Sequence, residues 1–157
     1  MLKIILRKIY DYFFSTKIGV YSEFIDLKLR KNKENDACFD IQSANDYYIE
    51  PDERVLISTG LRFKLPYNYE AQIRSRSGLS YKSGLIVANT PGTIDADYRG
   101  EIKVILINLS KEQVCIKRGD RIAQVKFEKV PSIKLIDLDN IDTSTDRGEK
   151  GFGSSGK

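Results

Sequence analysis

Three short stretches bring together residue types that hold phosphates and move protons. In RSRSGLS (74–80), the Arg76 guanidinium, the Ser77 hydroxyl and the open backbone of Gly78 fall at the end of a candidate strand. That combination holds an anion by charge-assisted hydrogen bonds and close backbone approach. In NTPGTIDADYRGEIKV (89–104), Asp95 and Tyr98 lie on a hairpin between apolar strands. A carboxylate set in a pocket there can take a proton from water, and the tyrosine ring offers a flat face to a base or sugar. The third stretch, RGEKGFGSSGK (147–157), gathers Arg147, Lys150, Ser154, Ser155 and four glycines around Phe152. Its end approaches the phosphate-loop pattern G-x-x-x-x-G-K-[ST], but the closing hydroxyl and the helix that must follow it are not in the sequence. A phosphate clamp of another kind is the expectation. Each stretch also has a bland reading: a solvated arginine turn, a turn-forming aspartate with a packed tyrosine, and a Gly/Ser tail.

The elements that must position these groups are short strands. Ile25, Leu27 and Leu29 alternate with charged residues, the period of a half-buried strand. Further strands are expected at 54–58, 61–65, 70–74, 85–88, 101–108, 113–117 and 122–128, with one short helix near 76–83. Pro51-Asp52, Pro66, Ser77-Gly78, Pro91-Gly92 and Arg118-Gly119-Asp120 supply the turns. Many short strands with regular turns indicate an all-β sandwich or barrel-like jelly roll. Residues 1–22 differ: Leu2, Ile5, Leu6, Ile9, Tyr12 and Phe13 fall at helix spacing with Lys3, Arg7 and Lys8 between them. They read as an extra N-terminal helix packed on the body, in preference to a membrane-surface anchor or a presequence. Residues 23–136 form the β domain. Beyond Pro131 the chain turns polar and should lack core residues, and residues 137–157 form a mobile arm.

Composition narrows the chemistry. The 157 residues contain no histidine and two cysteines, Cys38 and Cys115. This excludes a Ser-His-Asp triad and a His-rich zinc site, and with only two distant cysteines zinc is disfavoured. A participating metal should be a hard cation held by oxygen, and Mg²⁺ carried by phosphates fits best. The net charge of +4 is scattered rather than striped, which gives no footprint for nucleic acid. No apolar run is long enough to span a membrane, and a cytoplasmic location is expected, nuclear or organellar in a eukaryote.

Taken together and in order, the motifs resemble those of the trimeric dUTP pyrophosphatase (dUTPase) family. They are DACFDIQSA (36–44), RSGLS (76–80), GTIDADYRGEI (92–102), GDRIAQ (119–124) and RGEKGFGSSG (147–156). The resemblance implies a distorted jelly-roll fold, Mg²⁺-dependent cleavage of dUTP to dUMP and pyrophosphate, and a homotrimer with shared sites. It implies Asp95 as the base for the attacking water. It implies Tyr98 under the deoxyribose, and Asn89, Thr93 and Ile94 around uracil, with Lys103 nearby. Arg76, Ser77, Gly78 and Gln124 would hold phosphates, and Asp40 would hold metal-bound water. Arg147, Phe152, Gly153, Ser154 and Ser155 would close over the substrate. Cys38, Ser75, Ser83 and Ser155 depart from the residues usual at those places, Gly, Pro, His and Thr respectively. Two rival readings differ in product or role. A dCTP deaminase of the same fold would release ammonia, and a nucleotide-switched regulator would use the fold to bind a protein partner.

Overall fold

The computed structural model describes residues 15–151. In chain order its elements are β1 (Gly19–Ser22), β2 (Phe39–Gln42), β3 (Tyr47–Ile49), β4 (Arg54–Lys64), β5 (Tyr69–Arg74), α1 (Ser77–Ser83), β6 (Leu85–Val87), β7 (Gly92–Ile94), β8 (Ile102–Asn108), β9 (Val114–Ile116) and β10 (Arg121–Lys129). One sheet runs β1-β4-β8-β6, a second runs β2-β10-β5-β7, and β3-β9 form a two-stranded ribbon. Every pairing is antiparallel. This is the all-β architecture with one short helix that the strand spacing predicts.

Alternation along the strands builds the core. Ile102, Val104 and Leu106 of β8 point inward, as do Ile57, Leu61 and Phe63 of β4 and Ala71 and Ile73 of β5. Ile122, Ala123 and Val125 of β10 complete the same cluster. Fully burying one such aliphatic or phenyl side chain stabilises the fold by roughly 1.5–3 kcal/mol. Phe127 joins the layers edge-on, 5.4 Å from Phe63 and 5.8 Å from Phe39 between ring centroids. Among the described residues, Asn108 is one of three fully buried polar residues, with Ser43 and Thr59. Its amide donates to the carbonyls of Ile49 and Glu112, and its oxygen accepts from the backbone and hydroxyl of Ser110. With donors and acceptor all satisfied, it ties β3, β8 and the turn after β8 at little desolvation cost.

Where sequence and structure part, local polar groups decide. Residues 54–58 and 61–65, read as two strands, form the single strand β4 with a register shift between Ser58 and Leu61. Gly60 sits at φ +67, and a Cβ there would stand 2.7 Å from the Phe24 ring. The Glu101 carboxylate accepts from the N–H groups of Thr59 and Gly60 at 3.1 and 3.0 Å. The bulge thus lets alternation resume with Leu61 and Phe63 facing inward. The expected strand at 24–30 does not form. The Ser22 hydroxyl closes onto the carbonyls of Phe24 and Leu27 at 2.7 and 2.8 Å, a turn bond that competes with a ladder. Only Arg30 makes a bridge, to Asp40. Residues 19–22, grouped by sequence with the N-terminal segment, form β1 and pair with β4, so the sheet begins at Gly19.

The Arg118 guanidinium forks onto both oxygens of Asp26 at 2.6 and 2.9 Å. Those bonds hold the Asp26 carboxyl below its ordinary value. From Pro131 to Gly151 the chain carries neither strand nor helix and is exposed throughout. No residue there joins the core, and Ile133, Leu135, Ile136, Leu138 and Ile141 all face outward. No helix among the described residues is long and apolar enough to cross a membrane. The N-terminal stripe 2–13 lies outside the described residues.

Candidate active site

The anion-binding group assembles where β2, β10 and β5 run side by side. Asp40, Gln124 and Arg74 lie opposite one another in a single cross-strand row. After β5 the chain turns through Ser75 and Arg76 into α1, which ends on Gly84 at φ 66. The turn is pinned from two sides. The Ser75 hydroxyl accepts from the Val87 N–H at 2.9 Å, and its carbonyl accepts from the Gln124 amide at 3.0 Å. A proline at that place could not make the first bond. Arg76 then reaches back across the sheet. Its Nε donates to Asp40 Oδ1 at 3.0 Å and its Nη1 to the Arg121 carbonyl at 2.7 Å. Arg121 Nη1 meets the other oxygen, Asp40 Oδ2, at 3.1 Å.

Asp40, Arg76, Ser77, Gly78, Arg121 and Gln124 thus line one open cavity of about 350 Å³, with Asp36 and Cys38 on its wall. Two guanidiniums, Arg76 and Arg121, face the cavity alongside the carboxylates of Asp36 and Asp40. Gly78 has nothing within 4 Å of the place a Cβ would take. The first N–H groups of α1 have no partner within the helix. Together these features suit an oxyanion with several negative charges. Arg121 escaped the sequence reading, although it stands inside GDRIAQ. The signal was its place two residues past Gly119, at the start of β10.

The second group sits on the β7–β8 connection. Asp95 follows β7 directly, and the Tyr98 N–H closes the turn onto the Asp95 carbonyl at 3.2 Å. The Tyr98 hydroxyl donates to the Glu101 carbonyl at 3.1 Å, which lays the ring over Gly100. A Cβ on Gly100 would stand 2.2 Å from that hydroxyl oxygen. Arg99 Nη1 staples the turn through the carbonyls of Ala96 and Tyr98. Thr93, Ile94, Asp95, Tyr98 and Lys103 line a cavity of about 520 Å³ together with Leu56 and Glu101. Glu101 was not singled out from sequence. It both caps the β4 bulge and pairs with Lys103 at 3.6 Å.

Asn89 lines neither cavity; its amide lies against Gly92, 3.0 Å from where a Cβ would be. Arg147 is exposed and its Nε donates to the Lys150 carbonyl at 3.0 Å. Phe152, Gly153, Ser154 and Ser155 lie outside the described residues. The two cavities are separate within the chain. Ile94 is opposite Ala71 on β5, whereas Asp40 shares the row of Arg74. With strands about 4.8 Å apart and about 3.4 Å per residue, Asp95 and Asp40 are on the order of 15–20 Å from each other.

The dUTPase family model matches residues 27–156, most of the chain. The chain belongs to the dUTPase family. The deoxyuridine 5'-triphosphate nucleotidohydrolase of Nautilia profundicola is 53% identical over 121 residues, 77% of this chain and 84% of that one. The protein of the same name from Orientia tsutsugamushi is 42% identical over 157 residues, 99% of each chain. Among solved structures, the dUTPase of Staphylococcus bacteriophage 80alpha with dUPNHPP superposes with a TM-score of 0.77 at 29% identity, covering 90% of this chain and 99% of that one. Both cavities and every strand except β1 fall within the residues matched to the dUTPase model.

Proposed function

We propose that the chain hydrolyses dUTP to dUMP and pyrophosphate at a site completed by a neighbouring subunit of a homotrimer. The carrying observation is the pairing of the Asp95 carboxylate with the Tyr98 ring in one pocket. Asp95 takes a proton from water as the water oxygen bonds to the α-phosphorus, and the bond to the β-phosphate bridge breaks to release pyrophosphate. Tyr98 packs under the deoxyribose, where a 2'-hydroxyl has no room. Thr93 and Ile94 face the uracil, with Lys103 at the edge of the pocket, and Asn89 supports that turn from outside the pocket, against Gly92. Arg76, Ser77, Gly78 and Gln124 hold phosphate oxygens, and Arg121 adds a second guanidinium. Arg147 and residues 152–155 close over the substrate and exclude water.

Mg²⁺ fits this donor set as a cation brought by the phosphates, where it would neutralise charge on the triphosphate. Among the described residues no cluster of three or more His, Cys, Asp or Glu stands together. Asp40, whose oxygens each retain a lone pair beyond their arginine bonds, would hold a metal-bound water. The trimer has two supports. The two cavities of one chain are too far apart to act together, and the exposed apolar side chains of 133–141 need a covering surface.

Pyrophosphate release from dUTP, dTTP, dCTP and UTP, compared side by side with Mg²⁺, tests the reading. Release from dUTP alone is expected. Ammonia from dCTP would indicate deamination instead. Binding of dUTP without turnover would favour the regulatory role named for the phage dUTPases, which are described as controlling transfer of virulence genes by a G protein-like mechanism. The sugar check has its own test in Gly100→Ala. A Cβ there collides with the Tyr98 ring end, so the ring must tilt. The dUTP-to-UTP ratio of kcat/KM is expected to fall toward unity from on the order of 10², the discrimination a pocket makes against an added hydroxyl. An unchanged ratio would remove Tyr98 from the sugar contact.

A further inference from the structure

Glu101 stands at the entry to β8, between the Asp95–Tyr98 turn and the bulge of β4, and it bonds to both. Its Oε1 accepts from the N–H groups of Thr59 and Gly60 at 3.1 and 3.0 Å, and its Oε2 lies 3.6 Å from Lys103 Nζ. Its backbone carbonyl accepts from the Tyr98 hydroxyl at 3.1 Å. With that pocket read as the deoxyribose site, we infer that Glu101 is a positioning residue for sugar selection: its carboxylate anchors the turn to β4 and so sets the tilt of the Tyr98 ring.

The register of the two strands creates the need for an anchor. Ser58 is opposite Lys103 and Leu61 is opposite Ile102, so Thr59 and Gly60 fall outside the ladder. Both residues are buried, and one carboxylate oxygen takes both of their N–H groups. A charged acceptor makes these bonds stronger than a neutral one would. Thr59 returns the grip from the other side, its hydroxyl donating to the Ile102 carbonyl at 2.5 Å. Bulges beside active sites commonly re-aim a side chain, and here the group aimed is Tyr98, by way of Glu101.

The turn itself is closed. The Tyr98 N–H meets the Asp95 carbonyl, the Tyr98 hydroxyl meets the Glu101 carbonyl, and Arg99 Nη1 meets the carbonyls of Ala96 and Tyr98. A unit tied in this way tilts as a whole when its attachments change. Side-chain bonds fasten it to β4 at two points, Glu101 on the bulge and Arg62 Nη1 on the Arg99 carbonyl at 3.2 Å. Arg62 is exposed, whereas the Glu101 side chain is 21% exposed. Water can replace the first attachment. Loss of the second leaves two buried N–H groups without an acceptor.

Reach separates this role from charge. Glu101→Gln keeps the length and an oxygen acceptor but gives up the ion pair with Lys103. Glu101→Asp keeps the charge but is one methylene too short to span to both N–H groups. Glu101→Gln is expected to hold the dUTP-to-UTP ratio of kcat/KM within about twofold of wild type, and Glu101→Asp to lower it by about tenfold. Amide exchange at Thr59, Gly60 and Tyr98, followed by NMR, should rise in Glu101→Asp and stay near wild type in Glu101→Gln. Thermal melts show that each variant is folded. A carboxylate that served stability alone would scale turnover of both substrates alike and leave the ratio where it was. An unchanged ratio in folded Glu101→Asp would therefore overturn the inference. So would a ratio in Glu101→Gln as low as that of Glu101→Asp, which would make the Lys103 ion pair the cause. If the wild-type chain releases no pyrophosphate from dUTP, the reading of the pocket fails by itself. The exchange pattern, which needs no turnover, still decides the anchor: unchanged exchange at Thr59 and Gly60 in Glu101→Asp would remove it.

Discussion

Asp95→Asn is expected to lower kcat by about 10²–10⁴-fold, the usual worth of a positioned general base, with dUTP binding nearly unchanged. The substitution keeps the shape of the side chain and removes only its capacity to take a proton. The choice of Asp95 over its neighbours follows from their surroundings. Asp40 is clasped by Arg76 on one oxygen and by Arg121 on the other, so both of its oxygens already carry a donor. Asp97 is exposed and lies outside the cavity that Asp95 lines. Among the described residues, no side-chain partner engages the Asp95 carboxylate, which leaves its lone pairs open to a water. Asp97→Asn is therefore the matched control and should keep most of its activity. Thermal melts of both variants should stay close to wild type, as surface substitutions commonly change stability by about 0.5 kcal/mol or less. If Asp97→Asn is as impaired as Asp95→Asn, or if Asp95→Asn turns over normally, the base is another group.

Much of the framework was legible because strand periodicity and core burial are the same fact seen twice. Ile102, Val104 and Leu106 alternate in the sequence because one face of β8 is dry. The alternation at 25–29 has the same period, yet Ile25 is 85% exposed and Leu27 is buried in a turn. Nothing in a period of two records the Ser22 hydroxyl that closes that turn. Strands β2 and β3, of four and three residues, are too short for any window to separate from loop. They exist because β10 and β9 offer them partners. The site divides in a similar way. Asp95, Tyr98 and Arg76 stand out by residue type and motif. Arg121 and Glu101 matter through contacts made across strands, Arg121 to Asp40 and Glu101 to the β4 bulge, and a linear sequence does not display them. The gap between the two cavities is a property of register alone.

That gap leads to the sharpest test of assembly. Arg76→Ala and Asp95→Asn should each be nearly inactive alone, since one lacks its phosphate-binding guanidinium and the other its base. Unfolded together in equal amounts and refolded, they make mixed oligomers if the proposed trimer forms. If each site takes Asp95 from one subunit and Arg76 from another, half of the first and half of the second are intact, so about a quarter of the sites recover full function in a closed symmetric oligomer with random mixing. If both groups come from the same chain, every site carries one lesion and no activity returns. The two outcomes differ by the whole signal, because the starting variants contribute almost nothing. Arg76 also holds Asp40 and the Arg121 carbonyl, so its removal loosens the β2–β10 end of the sheet. A melt of Arg76→Ala alone separates that effect from loss of the site. Recovery near a quarter, with both variants folded, would place the Asp95–Tyr98 pocket of one chain against the Arg76–Asp40 cavity of its neighbour. Absence of recovery from folded, freely mixing variants would mean that a single chain must bend its two cavities together, contrary to the separation set by β5 and β7.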